Sequence, residues 1–257
     1  MKGIFLLHGF LTNPEDYTPI MEQLRQIYDR VYCPLYPGHY LETDKVKFKA
    51  EDLLKMVNEE FTRFRQECDV VDVIGFSMGG AIASYLAANY EFRNLVLLAP
   101  ANKFYNFAFL PMTLVYYVKK FSLKRKYKKK YSSQIGGNLV DAVDKNIRQV
   151  NRSKKIAFKI GFTRVVPNWT FSNLKNFRKI IKTCNNGIQK IDKPTLILWG
   201  HLDQLVNKNS PKFIYDKVTS QNKEMYFFDD MSHLMLRSVN IDRITNSVIS
   251  FLQRNDK

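Results

Sequence analysis

VVDVIGFSMGGAIASYLAANY, residues 70–90, reads as three pieces in succession. Val70–Ile74 is a short apolar, β-branched run of the kind that forms a buried strand. Ala81–Tyr90 is rich in helix formers. Between them Gly75-Phe76-Ser77-Met78-Gly79 matches G-x-S-x-G. Gly75 and Gly79 let the chain turn sharply from strand to helix, so the Ser77 hydroxyl stands above the strand end at a helix N-terminus. The five-residue pattern alone is common. The strand before it and the helix after it give it meaning.

Outward from this turn the same alternation continues. Residues 3–7 (GIFLL) form an apolar strand that runs into the His8-Gly9 turn, and residues 17–28 carry apolar residues at helical spacing. Val31–Cys33 is a short strand stopped by Pro34, and residues 46–67 form an amphipathic helix with Leu53, Val57, Phe61 and Phe64 inward. Leu95–Ala99 is a strand, and after a long gap Thr195–Trp199 and Met225–Phe228 are two more. Helices over 211–218 and 241–252 follow them. Strands that are apolar throughout and alternate with helices predict an α/β fold. Its sheet is mostly parallel and covered by helices on both faces.

Serine needs a base within hydrogen-bond reach before it becomes a nucleophile. The chain offers four histidines: His8, His39, His201 and His233. On a strand–elbow–helix scaffold the acid and then the base follow the serine in chain order. His233 lies between the last strand and the last helix, at the carboxyl edge of the sheet, with His201 as the rival base. Asp203 lies just past the Thr195–Trp199 strand and is the candidate orienting acid. Asp229 and Asp230 are alternatives, but they stand too near His233 in sequence for the usual geometry. An oxyanion needs two donors. They are expected from the backbone N–H of Met78, directly after the nucleophile, and from that of Phe10 in the first turn. His8 itself is expected to brace that turn.

Charge separates the chain into parts. The net charge is +16, yet residues 101–190 hold 21 Lys and Arg against only Asp141 and Asp144. The remainder is slightly acidic. The basic segment therefore reads as an insertion in a near-neutral core. Phe104–Val118 is apolar but interrupted by Asn106 and Pro111, too short to span a bilayer. Lys119–Lys130 carries eight basic residues. No nucleic-acid recognition motif accompanies the charge, so nucleic acid is not an expected partner. Cys33, Cys68 and Cys184 fit neither a metal pattern nor a disulfide framework. With no signal-peptide pattern at the N-terminus, a cytoplasmic location is expected.

LLHGF (6–10), Tyr36-Pro37-Gly38-His39, GFSMGG (75–80), W-G-x-x-D-x-x-V (199–206) and Ser232-His233 together resemble the α/β-hydrolase superfamily. Within it the chain is most similar to small bacterial carboxylesterases and monoacylglycerol lipases. The resemblance covers both core segments, 1–100 and 189–257, and implies that 101–188 is an inserted cap. The chain departs from the family in two ways. It starts at the strand that carries HGF, so two earlier strands of the full fold are missing. Its loop reads PGHY where PGHG is commoner.

The resemblance implies a serine hydrolase acting through an acyl-enzyme on Ser77, with no metal or other cofactor. Its expected partner is a small-molecule ester, with an acyl chain favoured by the apolar cap residues. The lysines of the cap would allow peripheral contact with an anionic membrane, each basic residue near such a surface contributing about 1 kcal/mol. Rival readings on the same scaffold are an acyl-CoA thioesterase and a C–C hydrolase or lyase. From a different class, a lipid-binding protein could have kept the fold and lost the chemistry.

Overall fold

The computed structural model describes residues 1–39, 46–103, 121 and 170–256. Six described strands form one sheet: β1 (Lys2–Leu7), β2 (Arg30–Tyr32), β3 (Val70–Phe76), β4 (Leu95–Leu98), β5 (Thr195–Gly200) and β6 (Lys223–Phe228). Their order is β2-β1-β3-β4-β5-β6 and every pairing is parallel. From β1 the chain crosses outward to β2, then returns past β1 to β3. The direction of winding thus reverses between β1 and β3. In open parallel sheets the crevice beyond the carboxyl ends at such a reversal is where ligands bind. His8 and Ser77 follow the carboxyl ends of those two strands.

Alternation along the strands fills two cores. Phe5, Leu7, Val73, Leu95, Leu97 and Ile197 point to one face. Ile4, Leu6, Ile74, Val96, Leu98 and Leu196 point to the other. Successive residues of a strand face opposite ways, so an unbroken apolar run is what a sheet covered on both faces requires. The second face is covered by α1 (Thr18–Arg25) and by α6 (Ile241–Arg254), whose Ile244, Val248, Phe251 and Leu252 are buried.

The first face is covered by α2 (Ala50–Gln66) and α3 (Met78–Asn89). Their cover, α4 (Phe171–Cys184), is a helix the sequence reading did not anticipate. It falls inside the segment expected to be the cap, yet Phe177, Ile180, Ile181 and Cys184 are buried in the same core as α2 and α3. α4 also holds the entry to α2. Asn176 Oδ1 accepts from Ala50 N (3.1 Å) and Asn173 Nδ2 donates to Val46 O (2.8 Å). Lys49, at the N-cap of α2, makes no side-chain cap of its own, so the Asn176 oxygen of another helix accepts from a backbone N–H that α2 leaves open.

The last helix before β6, α5 (Asn209–Lys217), begins two residues earlier than its sequence pattern predicts. The expected helix over 17–28 divides into a 3-10 turn, Pro14–Tyr17, and the shorter α1. The rest of the segment expected to be the cap, 104–120 and 122–169, lies outside the described residues, and so does the expected contact with an anionic membrane. Among the described residues, no helix is long and apolar enough to cross a membrane.

Candidate active site

Ser77 occupies the turn between β3 and α3 with φ 56° and ψ −116°. This is a sparsely populated conformation for a residue with a Cβ, costing on the order of 1–3 kcal/mol, and it persists only where the surroundings enforce it. The surroundings here are close. A Cβ on Gly79 would stand 2.0 Å from the carbonyl oxygen of Leu7, and one on Gly75 would stand 2.3 Å from that of Gly79. Ser77 N donates to Leu98 O (2.9 Å), while Ser77 O accepts from Gly80 N and Ala101 N, both at 3.0 Å. The backbone is thus held from β4, from α3 and from the segment after β4.

The three residues singled out from the sequence come together. His233 Nε2 is 2.9 Å from Ser77 Oγ, and His233 Nδ1 is 2.8 Å from Asp203 Oδ2. All three side chains are buried. The other oxygen of Asp203 accepts from Leu205 N (2.8 Å) and Val206 N (2.7 Å), so the carboxylate cannot rotate without losing two backbone bonds. Trp199 Nε1 braces the same loop through Val206 O (3.1 Å). The loops bearing Asp203 and His233 are joined directly, Leu202 N donating to Met231 O (2.9 Å). A Cβ on Gly200 would meet that same carbonyl oxygen at 2.3 Å. Since the carboxylate can only accept, Nδ1 carries the proton and Nε2 is left to accept from the serine.

The rivals are engaged elsewhere. His201 Nδ1 faces Asp229 Oδ1 at 3.6 Å, and Asp230 holds Asn240 Nδ2 (2.6 Å) and Arg243 Nη1 (2.8 Å). Met78 is the first residue of α3, so its N–H is one of the helix-end donors without an intrahelical acceptor.

His8 orients the peptide of the first turn. Its Nδ1 is 3.0 Å from Gly9 O, and its Nε2 accepts from Tyr36 N (3.4 Å). The two contacts define a neutral ring protonated at Nδ1. Burial, and secondarily the neighbouring His39, holds its pKa well below the ordinary histidine value. The Tyr36 ring stacks on it with centroids 3.7 Å apart, and Tyr36 Oη donates to His8 O (3.2 Å). No described peptide bond is cis. With the Gly9 carbonyl directed at the imidazole, the N–H of Phe10 points away from it. The Phe10 side chain packs on Phe177 and Phe48. The bracing role expected of His8 is thus visible as a specific pair of contacts. The part of Tyr36 in it is not readable from the motif around it.

A family model described as Serine aminopeptidase, S33, matches residues 2–239. The chain belongs to that family. It is a serine-hydrolase-type α/β-hydrolase with esterase and lipase relatives. A carboxylesterase of Bacillus subtilis (strain 168) is 21% identical over 258 residues, covering 99% of this chain and 94% of the relative. A thermostable monoacylglycerol lipase of Bacillus sp. (strain H-257) is 31% identical over 91 residues, 34% of this chain and 36% of that protein. Among solved structures, one from a study of two metagenome-derived lipolytic enzymes superposes with a TM-score of 0.68. It has 15% identity and covers 98% of this chain and 94% of its own. The monoacylglycerol lipase of Paleococcus ferrophilus gives 0.65 at 14% identity, covering 97% and 93%. At these identities the structural likenesses establish the fold.

Proposed function

We propose that this protein hydrolyses carboxylic esters of fatty acyl chains through an acyl-enzyme on Ser77, with His233 as the base and Asp203 as the orienting acid. The observation that carries the reading is the continuous Ser77–His233–Asp203 hydrogen-bond relay. The carboxylesterase relative, matched along nearly its whole length, supports the ester as substrate.

In this mechanism Ser77 Oγ attacks the ester carbonyl carbon as its proton passes to His233 Nε2. Asp203 keeps Nδ1–H in place and stabilises the imidazolium. The carbonyl oxygen becomes an oxyanion, which accepts from the N–H groups of Met78 and Phe10. Each such donor typically lowers the barrier by about 3–4 kcal/mol. Collapse breaks the bond to the alcohol oxygen, which leaves with the proton from His233. A water then attacks the acyl carbon, giving its proton to His233. The second collapse frees the acid and returns that proton to Ser77.

Hydrolysis of p-nitrophenyl esters from acetate to palmitate tests this, with Ser77→Ala and Asp203→Asn alongside wild type. Turnover that disappears in Ser77→Ala and rises with chain length is the expected result. Activity retained in Ser77→Ala would overturn the mechanism. Labelling of Ser77 by a fluorophosphonate with no ester turnover would overturn the substrate and direct attention to thioesters.

A further inference from the structure

We propose that Asp16 and Arg237 form a latch between the two halves of the active site, in which Asp16 is a positioning residue for His233. The proposal rests on the ester-hydrolase reading above.

One half of the latch is the 3-10 turn Pro14–Tyr17, which follows the turn bearing Gly9 and Phe10. Asn13 Oδ1 accepts from Glu15 N at its start (3.0 Å). At its end Tyr17 Oη reaches Leu7 O (2.9 Å) and Ile74 O (3.2 Å), the last residue of β1 and a residue near the end of β3. This turn is therefore fixed to the sheet on either side of the winding reversal. The other half is the 3-10 turn Met235–Arg237, which begins two residues after His233 and is coupled to it by Met235 N donating to His233 O (2.8 Å). Arg237 crosses the seam. One of its terminal nitrogens donates to Glu15 O (3.2 Å) and stands 3.9 Å from Asp16 Oδ1.

The state of these groups is unusual for a pair kept for stability alone. Asp16 is 5% exposed. Among the described residues Arg237 Nε is buried without a hydrogen-bond partner, and Asp16 Oδ2 has none at full hydrogen-bond geometry, with the Thr12 hydroxyl and the Gly9 amide as its polar neighbours. Placing a carboxylate there is costly, and apolar residues of similar volume usually do as well or better for stability. In some proteins an ion pair with one buried member instead fixes the arrangement of the parts it joins, and that is its role here. Burial raises the pKa of Asp16. The groups that oppose the rise are the Thr12 hydroxyl, Arg237, the Gly9 amide and His233, all from the two loops that the pair connects. Asp16 and Arg237 are 221 residues apart, so the contact is a feature of the folded site.

A double-variant cycle tests the latch: wild type, Asp16→Asn, Arg237→Met and the double variant. Each is assayed for p-nitrophenyl ester turnover, for thermal midpoint, and for the downfield proton resonance of the His233 Nδ1–H···Asp203 bond. Each single change is expected to lower kcat about tenfold with KM within twofold. The double variant should lose no more than the worse single, and the resonance should move or broaden in all three. Losses that multiply in the double variant would overturn the proposal. So would wild-type kcat with only the thermal midpoint lowered, or an effect confined to KM. If Asp16→Asn does not fold, Arg237→Met, at a partly exposed side chain, carries the same comparison with Arg237→Lys as the rescuing variant. The resonance needs no substrate. If wild type proves inactive on esters, an unmoved resonance still refutes the latch separately from the ester reading.

Discussion

Replacing His8 with Leu should slow the chemical step without weakening substrate binding, and the size of the effect can be worked from the contacts. His8 holds the Gly9 carbonyl at 3.0 Å and receives the Tyr36 N–H at 3.4 Å. Leucine removes the first bond, about 1 kcal/mol of net preference for the observed peptide orientation. It also leaves the Tyr36 N–H buried and unpaired, which adds about 1–3 kcal/mol in favour of rearrangement. Together this is about 2–4 kcal/mol. One oxyanion donor is worth a similar amount, about 2.7–4 kcal/mol. The Gly9–Phe10 peptide is therefore expected to leave its orientation most of the time. The kcat for p-nitrophenyl butyrate should fall on the order of 10²-fold, and by no more than the ~10³-fold expected for complete loss of a donor.

His8→Asn separates orientation from packing. An Asn side chain can place a donor near the position of the imidazole Nδ1, so it keeps the bond to Gly9 O and loses only the acceptor. About tenfold recovery relative to His8→Leu is expected, with both variants showing similarly lowered thermal midpoints. A His8→Leu enzyme with kcat within threefold of wild type would refute the argument. Equal impairment of the two variants would refute it as well, since the loss would then follow stability and not the direction of the peptide.

Two further outcomes follow from close packing and from burial. Gly79→Ala places a Cβ 2.0 Å from Leu7 O and 2.6 Å from His8 O, both backbone atoms that cannot swing aside. Destabilisation of about 3 kcal/mol or more is expected, read from the urea midpoint, and a midpoint within error of wild type would contradict the described elbow. His39 is buried and its pKa is depressed to about 4, chiefly by desolvation. The unfolded chain therefore takes up this proton first, near pH 6.5. The stability linked to His39 is complete above that pH and is lost as pH falls towards 4, by on the order of 3 kcal/mol. His8 contributes in the same direction, so the difference between wild type and His39→Gln from pH 7 to 4 isolates His39. Parallel curves for the two would count against it.

How much of this was legible in the sequence depended on whether a signal was local. The strand–elbow–helix unit is readable because its causes lie within twenty residues: a β-branched run, two glycines where backbone atoms crowd, and a run of helix formers. The positions of Asp203 and His233 follow from chain order once that unit is placed. α4 was missed, although its necessity is written in α3. Gly79, Ala81, Ile82, Ala83, Leu86 and Ala87 lie all round that helix and are all buried. A helix apolar on every side must be covered on the face turned from the sheet. The strongly basic composition of 101–190 masks the apolar Phe177, Ile180 and Ile181 near its end. The other omissions have a different cause. Tyr36 acts on His8 from 28 residues away, and Arg237 meets Asp16 across 221. No periodicity or spacing encodes either contact, because each exists only after β1, β2 and the loop after β6 have been brought to the same end of the sheet. The groups that perform the proposed chemistry carry short-range signatures imposed by the turns that present them. The groups that orient them are chosen by tertiary proximity, and a single sequence carries no local trace of that choice.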